Sequence, residues 1–577
     1  KLKKFNLILL LIFWFQCSKA QRLELKFNIL DTITPELNKT LAPSTHATFD
    51  DIKIHLKEIN SKLLNNGYLT TYIDSTIQND SIVIAKIFIG RQYLFSTITP
   101  GNVEATILKK SGFKFDDFWN KPISPTIISG NITKILNHYE NNGYPFAQVK
   151  LDSITINQDT ISAALLIKKN QLIRYDSIIV KGNSNLSKTY LFNYLNITEG
   201  DPYNESVNRQ LTKKLEEIPF IKSSTEPQFL FFQNLTKLYL HLDEKKSSTF
   251  NGIVGFLPNS STNEITISGD IDLQLINELN RGERIKLNWR KLQNNVSDLK
   301  ANLSYPFILK TPFGLDGEFF LYRRDTLYQD INGKVNIQYL LPGANNIGLF
   351  YENRSSRIIS TAGFENKTTL PNILDISKNI YGLSLSKSKL DYKINPRKGH
   401  SVDISAGLGT RKIIKNTAIN PELYDDLDLV TNQYNYSIHV ETFMPISKRG
   451  AINIGIKSGR IGAPKILLNE QYRIGGLKTL RGFDEESIFA STYAILTTEY
   501  KFVLEQNSFA HVFIDACYYE NRNINNFSND FPIGGGLGIN FETKAGIFSI
   551  DYALGYQEKQ LAPIRSAKIH FGFINYF

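Results

Sequence analysis

Arg473-Ile-Gly-Gly-Leu-Lys-Thr-Leu-Arg-Gly-Phe483 is the stretch on which the reading of this chain turns. It lies between two alternating, strand-like runs and carries Gly475, Gly476 and Gly482, which suit sharp backbone turns. Arg481 offers a planar fork of donors, and a carboxylate on a nearby strand is the partner such a fork takes bidentately. Taken alone, the stretch also fits a surface loop with a solvated arginine. The sequence on either side separates these readings.

From about Ser247 apolar and polar residues alternate with a period of two, in runs broken by Asn-, Gly-, Asp- and Lys-rich turns. Strands are predicted at 249–257, 263–274, 281–293, 296–306, 312–322, 329–339, 345–353, 378–389, 399–409, 430–443, 449–460, 490–502, 509–520, 533–542, 545–557 and 567–577. Sixteen is an even number suited to a closed antiparallel transmembrane barrel, and closure removes edges that lipid cannot satisfy. Within 509–520, Val512, Ile514, Ala516 and Tyr518 form one face, and His511, Phe513, Asp515, Cys517 and Tyr519 form the other. The carboxylate of Asp515 assigns the second face to a polar lumen. A soluble β-sandwich would alternate as well, but an unbroken series of this length after an export signal argues against one.

That signal is residues 1–20: Lys1, Lys3 and Lys4, an apolar run from Phe5 to Phe15, and Ser18-Lys19-Ala20 before a cut at Gln21. The run is too short to span a bilayer as a helix. Lipidation at Cys17 is the alternative, with bulky Phe15 and Gln16 preceding it. After cleavage Cys517 is the only cysteine, so no intrachain disulfide forms. A net charge of +11 suits anionic lipid headgroups, and an exported chain without an aromatic-basic motif is not a nucleic-acid binder. The eight histidines are scattered, and neither His-Glu-x-x-His, Cys-x-x-Cys nor Gly-x-Ser-x-Gly occurs. No catalytic residue, metal or cofactor is therefore expected.

Residues 21–246 repeat themselves. Asn65-Asn66-Gly67-Tyr68 recurs 76 residues on as Asn141-Asn142-Gly143-Tyr144. Ile52, Leu56, Ile59 and Leu63 are answered by Ile128, Ile132, Ile135 and Tyr139, a spacing that places four side chains on one helical face. A diverged third copy carries Val207, Leu211, Leu215 and Ile218 in its helix. Each unit reads β-α-α-β-β, an α+β fold with a helix pair on one face of a small sheet.

Arg481-Gly482-Phe483 resembles the (V/L)RG(F/Y) loop signature of the BamA/TamA family of outer-membrane assembly factors. The repeats, with Gly143-Tyr-Pro-Phe-Ala147, look like that family's POTRA modules, at 21–93, 94–172 and 173–246, before a barrel at 247–577. The resemblance implies a loop folded into the barrel, with Arg481 meeting a Phe-x-Asp-x-Gly motif. The matching run is Phe513-Ile514-Asp515-Ala516-Cys517, where Cys517 departs from the family glycine. Arg481, Gly482, Phe483, Phe513 and Asp515 are then a loop lock, hinged at Gly475 and Gly476. Gly252, Gly255 and Gly572 weaken packing where the sheet ends meet, and the last strand, with Phe571, Phe573 and Phe577 on one face, resembles a carboxy-terminal β-signal. Asn395-Pro-Arg-Lys-Gly399 resembles a family turn or is simply a polar turn. Gly534-Gly-Gly-Leu-Gly538 precedes a strand, so a bend or bulge is expected rather than a phosphate loop.

The implied function is assembly, insertion or translocation at the bacterial outer membrane. POTRA modules in the periplasm capture unfolded barrel clients by strand addition, and a seam between first and last strands templates their insertion. Implied partners are these clients, the bilayer with its anionic headgroups, and accessory subunits in the periplasm or inner membrane. Three modules and a short barrel region favour the TamA-like branch. The rivals are a two-partner-secretion pore, which usually has two POTRA units and a plug helix, and a passive channel.

Overall fold

The computed structural model describes residues 22–31, 35–233, 235–258, 265–291, 296–341, 345–364, 367–392, 395–524, 526–543, 546–557, 560–561 and 567–576. Residues 1–20, expected to be an export signal, and Phe577 lie outside them. By proximity the chain divides into two compact units, one of residues up to 178 with 199–209 and 229–238, the other of 179–198, 210–228 and 239 onward.

Three small mixed sheets come first. β1 (Leu23–Ile29), β2 (Ser44–His46), β3 (Tyr72–Asn79) and β4 (Ile82–Phe88) pair in the order β2-β1-β4-β3. Helix α1 (Phe49–Asn65) starts at a capping box between Thr48 and Asp51 and buries Ile52, Leu56, Ile59 and Leu63 against this sheet's core. It ends at Asn66, followed by Gly67 at φ +88°, the left-handed turn that favours glycine. In the second sheet β5 (Leu94–Thr99), β6 (Gln148–Asn157) and β7 (Thr160–Lys168) pair in the order β5-β7-β6, beneath α2 (Ala105–Ser111) and α3 (Pro125–Glu140). On α3 the buried positions are Asn131, Ile135 and Tyr139, and the Asn131 amide donates to Asp117 and to the Ile127 carbonyl.

The third sheet joins β8 (Arg174–Lys181), β9 (Ile221–Ser223), β10 (Gln228–Phe232) and β11 (Leu235–Glu244), with α4 (Lys188–Leu195). The single helix expected around Val207 to Ile218 is two short ones, α5 (Glu205–Asn208) and α6 (Leu211–Glu217). Leu211, Leu215 and Ile218 are buried as the spacing requires, while Val207 is only partly so.

Then the period changes to two and a barrel follows. Its strands are β12 (Thr249–Pro258), β13 (Ile265–Ile276), β14 (Arg284–Lys291), β15 (Val296–Tyr305), β16 (Phe313–Arg324), β17 (Tyr328–Leu341), β18 (Asn345–Ile358) and β19 (Asp375–Leu390). β20 (Gly399–Ile414), β21 (Val430–Pro445) and β22 (Gly450–Gly462) precede a small hairpin, β23 (Tyr472–Ile474) with β24 (Ile488–Ala490). β25 (Thr492–Val503), β26 (Phe509–Arg522), β27 (Phe527–Asp530), β28 (Ile533–Thr543), β29 (Gly546–Gln557), β30 (Gln560–Leu561) and β31 (Lys568–Tyr576) complete the series. With β27 and β30 as hairpin extensions and β23–β24 standing apart, sixteen antiparallel strands surround the lumen.

Alternation sorts their side chains. Lys378, Arg411, Glu499 and Asp515 point inward and are buried, whereas Phe319, Leu349, Leu408, Ile456, Leu496 and Ile514 point outward and are exposed. An apolar outer face with a polar inner face suits lipid outside and a hydrophilic interior. The ring closes through two register pairs among the described residues, Thr249↔Tyr576 and Phe250↔Asn575, against ten between β12 and β13.

Candidate functional site: the loop across the lumen

The segment between β22 and β25 turns back into the barrel. Its β23–β24 hairpin is closed by Gly475 and Gly476, at φ +117° and +92°, where a β-carbon would strike the Asp484 carbonyl and the Glu485 carboxylate. Thr479 ties the turn by accepting from Gly475 N–H and donating to its carbonyl, both at 2.8 Å. Ile474, Leu480, Ile488 and Ala490 then pack with Ile495 and Cys517 of the wall, flanked by Phe483. The loop thus carries its own apolar core, and Cys517 forms its floor.

Arg481 extends from that core. Its Nε and Nη2 donate to the two oxygens of Asp515 at 2.8 and 2.9 Å, Nη1 donates to Glu499 at 2.8 Å, and its backbone N–H also reaches Asp515. The guanidinium lies 3.4 Å above the Phe513 ring, close enough for a cation–π contact. Thr497 donates a further hydrogen bond to Asp515 at 2.9 Å. Gly482 (φ +93°) presses on β29, where a β-carbon would meet the Leu554 carbonyl at 2.6 Å, and a β-carbon on Gly555 would meet the Phe483 ring at 3.0 Å.

Other walls hold the same loop. Glu470, fully buried, accepts from Arg411 through Nε and Nη2, both at 2.8 Å, and pairs with Lys378 at 2.7 Å. Asn469 donates to Ser356 and to the Leu374 carbonyl. Arg473 stacks 3.6 Å above Tyr322 and stands 3.6 Å from Asp330, which also binds Arg354. Glu485 and Glu486 pair with Arg290 of β14, itself bonded to Asp298. A segment tied to β14, β17, β19, β20, β25 and β26 obstructs the lumen it crosses.

The structure brings Arg481, Gly482, Phe483, Phe513 and Asp515 together, with Gly475 and Gly476 at the base of the loop. Gly252, Gly255, Phe571, Gly572 and Phe573 lie elsewhere. Gly252 and Gly255 pair with Ile271 and Ser268 on β13, beyond the two pairs that close the ring. Phe571, Gly572 and Phe573 pair with Ile550, Ser549 and Phe548 of β29. Asn395 and Arg397 do more than form a polar turn: Asn395 donates to the Gln506 carbonyl and Arg397 to those of Ser447 and Lys448, stitching neighbouring turns.

The run Gly534–Gly538 neither bends nor bulges, because its register with both β26 and β29 is unbroken. Its glycines make room inside the wall instead. A β-carbon on Gly534 would meet the Arg481 carbonyl, on Gly536 the Phe513 ring, and on Gly538 the His511 ring. The sequence pointed to these glycines but not to the neighbours they admit, and it did not point to Glu499, Thr497, Glu470, Arg411 or Lys378. For those on strands the one available signal was inward parity, which identifies a luminal residue but not its partner; Glu470, in a turn of the loop, had no such signal.

A sixteen-strand barrel obstructed by an inward-folded loop and preceded by small mixed sheets defines a class of outer-membrane protein. Residues 277–575, just over half of the chain, match the Omp85 superfamily domain, and the chain belongs to that superfamily. It is a non-enzymatic protein of the bacterial outer membrane, with POTRA-like sheets on the periplasmic side. Solved structures with the same fold include CdiB from Escherichia coli, with 14% identity and a TM-score of 0.54, covering 95% of this chain and 100% of that one. CdiB from Acinetobacter baumannii has 15% identity and a TM-score of 0.53, with the same coverage. BamA from Haemophilus ducreyi lacking POTRA domains 1-3 matches at 15% identity over 83% of this chain and 100% of that one, with a TM-score of 0.45. No protein of curated function matches the sequence.

Proposed function

We propose that this protein inserts or helps export other outer-membrane proteins, in the manner of the TamA-like branch, with POTRA modules at 21–93, 94–172 and 173–246. The observation that carries this reading is the weak closure: among the described residues two register pairs join β12 to β31, whereas seven join β31 to β29. A seam that opens at low cost exposes strand edges to an incoming client strand. Capture fits the modules, since β3, β6 and β10 end their sheets and carry exposed Tyr72, Ile77, Ile154, Ile156, Leu230 and Phe232. In this scheme Arg481 and Asp515 pin the loop and set barrel geometry, and client folding drives the process without nucleotide hydrolysis. Accessory subunits in the periplasm or inner membrane complete it.

Passage of a secreted partner through the lumen is the second reading. A polar cavity of about 840 Å³, lined by Arg284, Asn302, Ser304, Lys334, Asn336 and His439 among others, favours it. Depletion followed by outer-membrane proteomics tests the first reading, which requires loss of barrel proteins. A disulfide across the seam, Phe250→Cys with Asn575→Cys, separates the two. Oxidation blocks assembly through the seam and leaves luminal passage intact. Normal assembly by the oxidised protein would overturn the seam mechanism.

A further inference from the structure

Five arginines inside this barrel are paired with acids. Arg290, Arg354, Arg411, Arg473 and Arg481 each have a carboxylate within 4.0 Å. The outer wall is different. β14, β16, β18, β20, β22 and β26 all run away from the periplasmic side, and each carries an outward-facing base at its far end. These are Lys291, Arg323, Arg357, Lys412, Arg460 and Arg522.

Their outward direction follows from parity, because Arg290, Tyr322, Ser356, Arg411 and Ile461 beside them are buried on the inner face. Consecutive registers Lys291↔Ser297, Ser297↔Arg323, Arg323↔Gln329 and Gln329↔Arg357 place three bases in one row around the wall. One strand lies between neighbouring bases, so they stand two inter-strand spacings apart, roughly 9.6 Å.

Arg357, Lys412 and Arg460 make no ion pair among the described residues. Arg323 donates to the carbonyl of Asp325, and Arg522 lies 5.2 Å from the Phe527 ring. An acid, Glu520, shares the band and accepts from the Tyr518 hydroxyl. Around Arg460 the wall opens into a pocket of about 670 Å³ edged by Asn432, Thr492 and Arg522. Gly462 admits it, with the Tyr434 ring lying where a β-carbon would stand. Towards the periplasm the outward face becomes apolar and then aromatic, with Phe313, Tyr339, Tyr500 and Phe502 exposed. The outward bases on the strands at that end are Lys387 and Lys389, both on β19, among the described residues.

A charged side chain facing acyl chains is tolerated only near the interface, and there an anion within reach turns the cost into attraction. A phosphate presents the oxygen geometry that guanidinium groups take bidentately. We propose that this band binds phosphate-bearing lipid headgroups of the outer leaflet, with the Arg460 pocket as the deepest seat. Bound lipid then holds the wall from β14 to β26, which is most of the ring, and leaves the strands flanking the weak β12–β31 closure as the part free to open.

The test is native mass spectrometry of the full chain in a neutral detergent. The probes are a bis-phosphorylated glucosamine glycolipid, its dephosphorylated counterpart and inorganic phosphate. The wild type retains the phosphorylated lipid, and retention falls as salt rises. Arg323→Gln/Arg357→Gln/Arg460→Gln loses affinity on the order of a hundred-fold, or about five-fold per charge removed. Lys387→Gln/Lys389→Gln keeps wild-type affinity. Equal retention by the triple variant, equal binding of the dephosphorylated lipid, or an equal loss in the β19 lysine variant overturns the proposal. Displacement of the lipid by millimolar inorganic phosphate also overturns it, assigning the site to a free anion. A heat-dependent gel shift confirms that each variant is folded. If the triple variant fails that check, Arg460→Gln alone decides, with a five-fold loss expected and no loss overturning the idea.

Discussion

The carbonyl oxygen of Arg481 lies against Gly534 so closely that a β-carbon there would stand 1.9 Å from it. Gly534 sits on β28, two strands from the Glu499 that binds the same arginine's side chain. The loop tip is therefore gripped by backbone on one side and by carboxylates on the other.

Gly534→Ala should expel the loop tip, because both clashing groups are backbone and neither can rotate away. Gly535→Ala should be silent, since its β-carbon would find only the Phe513 carbonyl, at 3.7 Å. In a Cys17→Ser background, the reactivity of Cys517 reports docking, as its thiol is fully buried beneath the loop core. Fast labelling in the first variant and slow labelling in the second is the expected pair.

Removing one member of the arginine cluster leaves a charge buried without its partner. Arg481→Ala or Asp515→Asn should weaken loop docking by on the order of 3–5 kcal/mol. Arg481→Lys should recover only part of this, because an ammonium cannot serve Asp515 through two nitrogens and Glu499 through a third. Labelling of Cys517 at neutral pH ranks the three variants. A lysine variant indistinguishable from wild type would rule out a role for the fork.

Acid should release the other end of the loop. Burial opposes ionisation of Glu470, but Lys378 and Arg411 outweigh it and hold the carboxyl at about 2. A carboxyl depressed in the folded state contributes stability that is complete above the ordinary glutamate value of about 4.3. That contribution disappears as pH falls through about 2. Cys517 reactivity towards a disulfide reagent active in acid should therefore rise across this window. Glu470→Gln should label faster at neutral pH and lose the acid step.

Docked, the loop should keep conductance low. Planar bilayers containing wild-type protein should show brief, small openings, and Glu470→Gln/Arg481→Ala should show sustained larger ones. Equal conductance in both would mean that this loop does not set the permeation path.

The inward face of β26 was legible because a strand repeats every two residues and Asp515 marks the polar side. The buried face of α1 was legible for the corresponding helical reason. Arg481 with Asp515 came from a motif resemblance, not from spacing. Glu470 with Arg411 carried no such mark, since 59 residues separate them and nothing local indicates which luminal acid meets which luminal base. The glycine run misled for a related reason. A glycine that allows a bend and one that admits a neighbour look alike until the neighbour is in place.

By itself, then, the sequence determined periodicity: which residues share a helix face, which strand side meets lipid, and where the modules yield to the barrel. These follow from geometry within one element. Tertiary structure alone decided which walls hold the loop, that β28 runs straight beneath it, and that two register pairs join the ring among the described residues. Those are relations between segments far apart in the chain, and their energies depend on distances that no local pattern encodes.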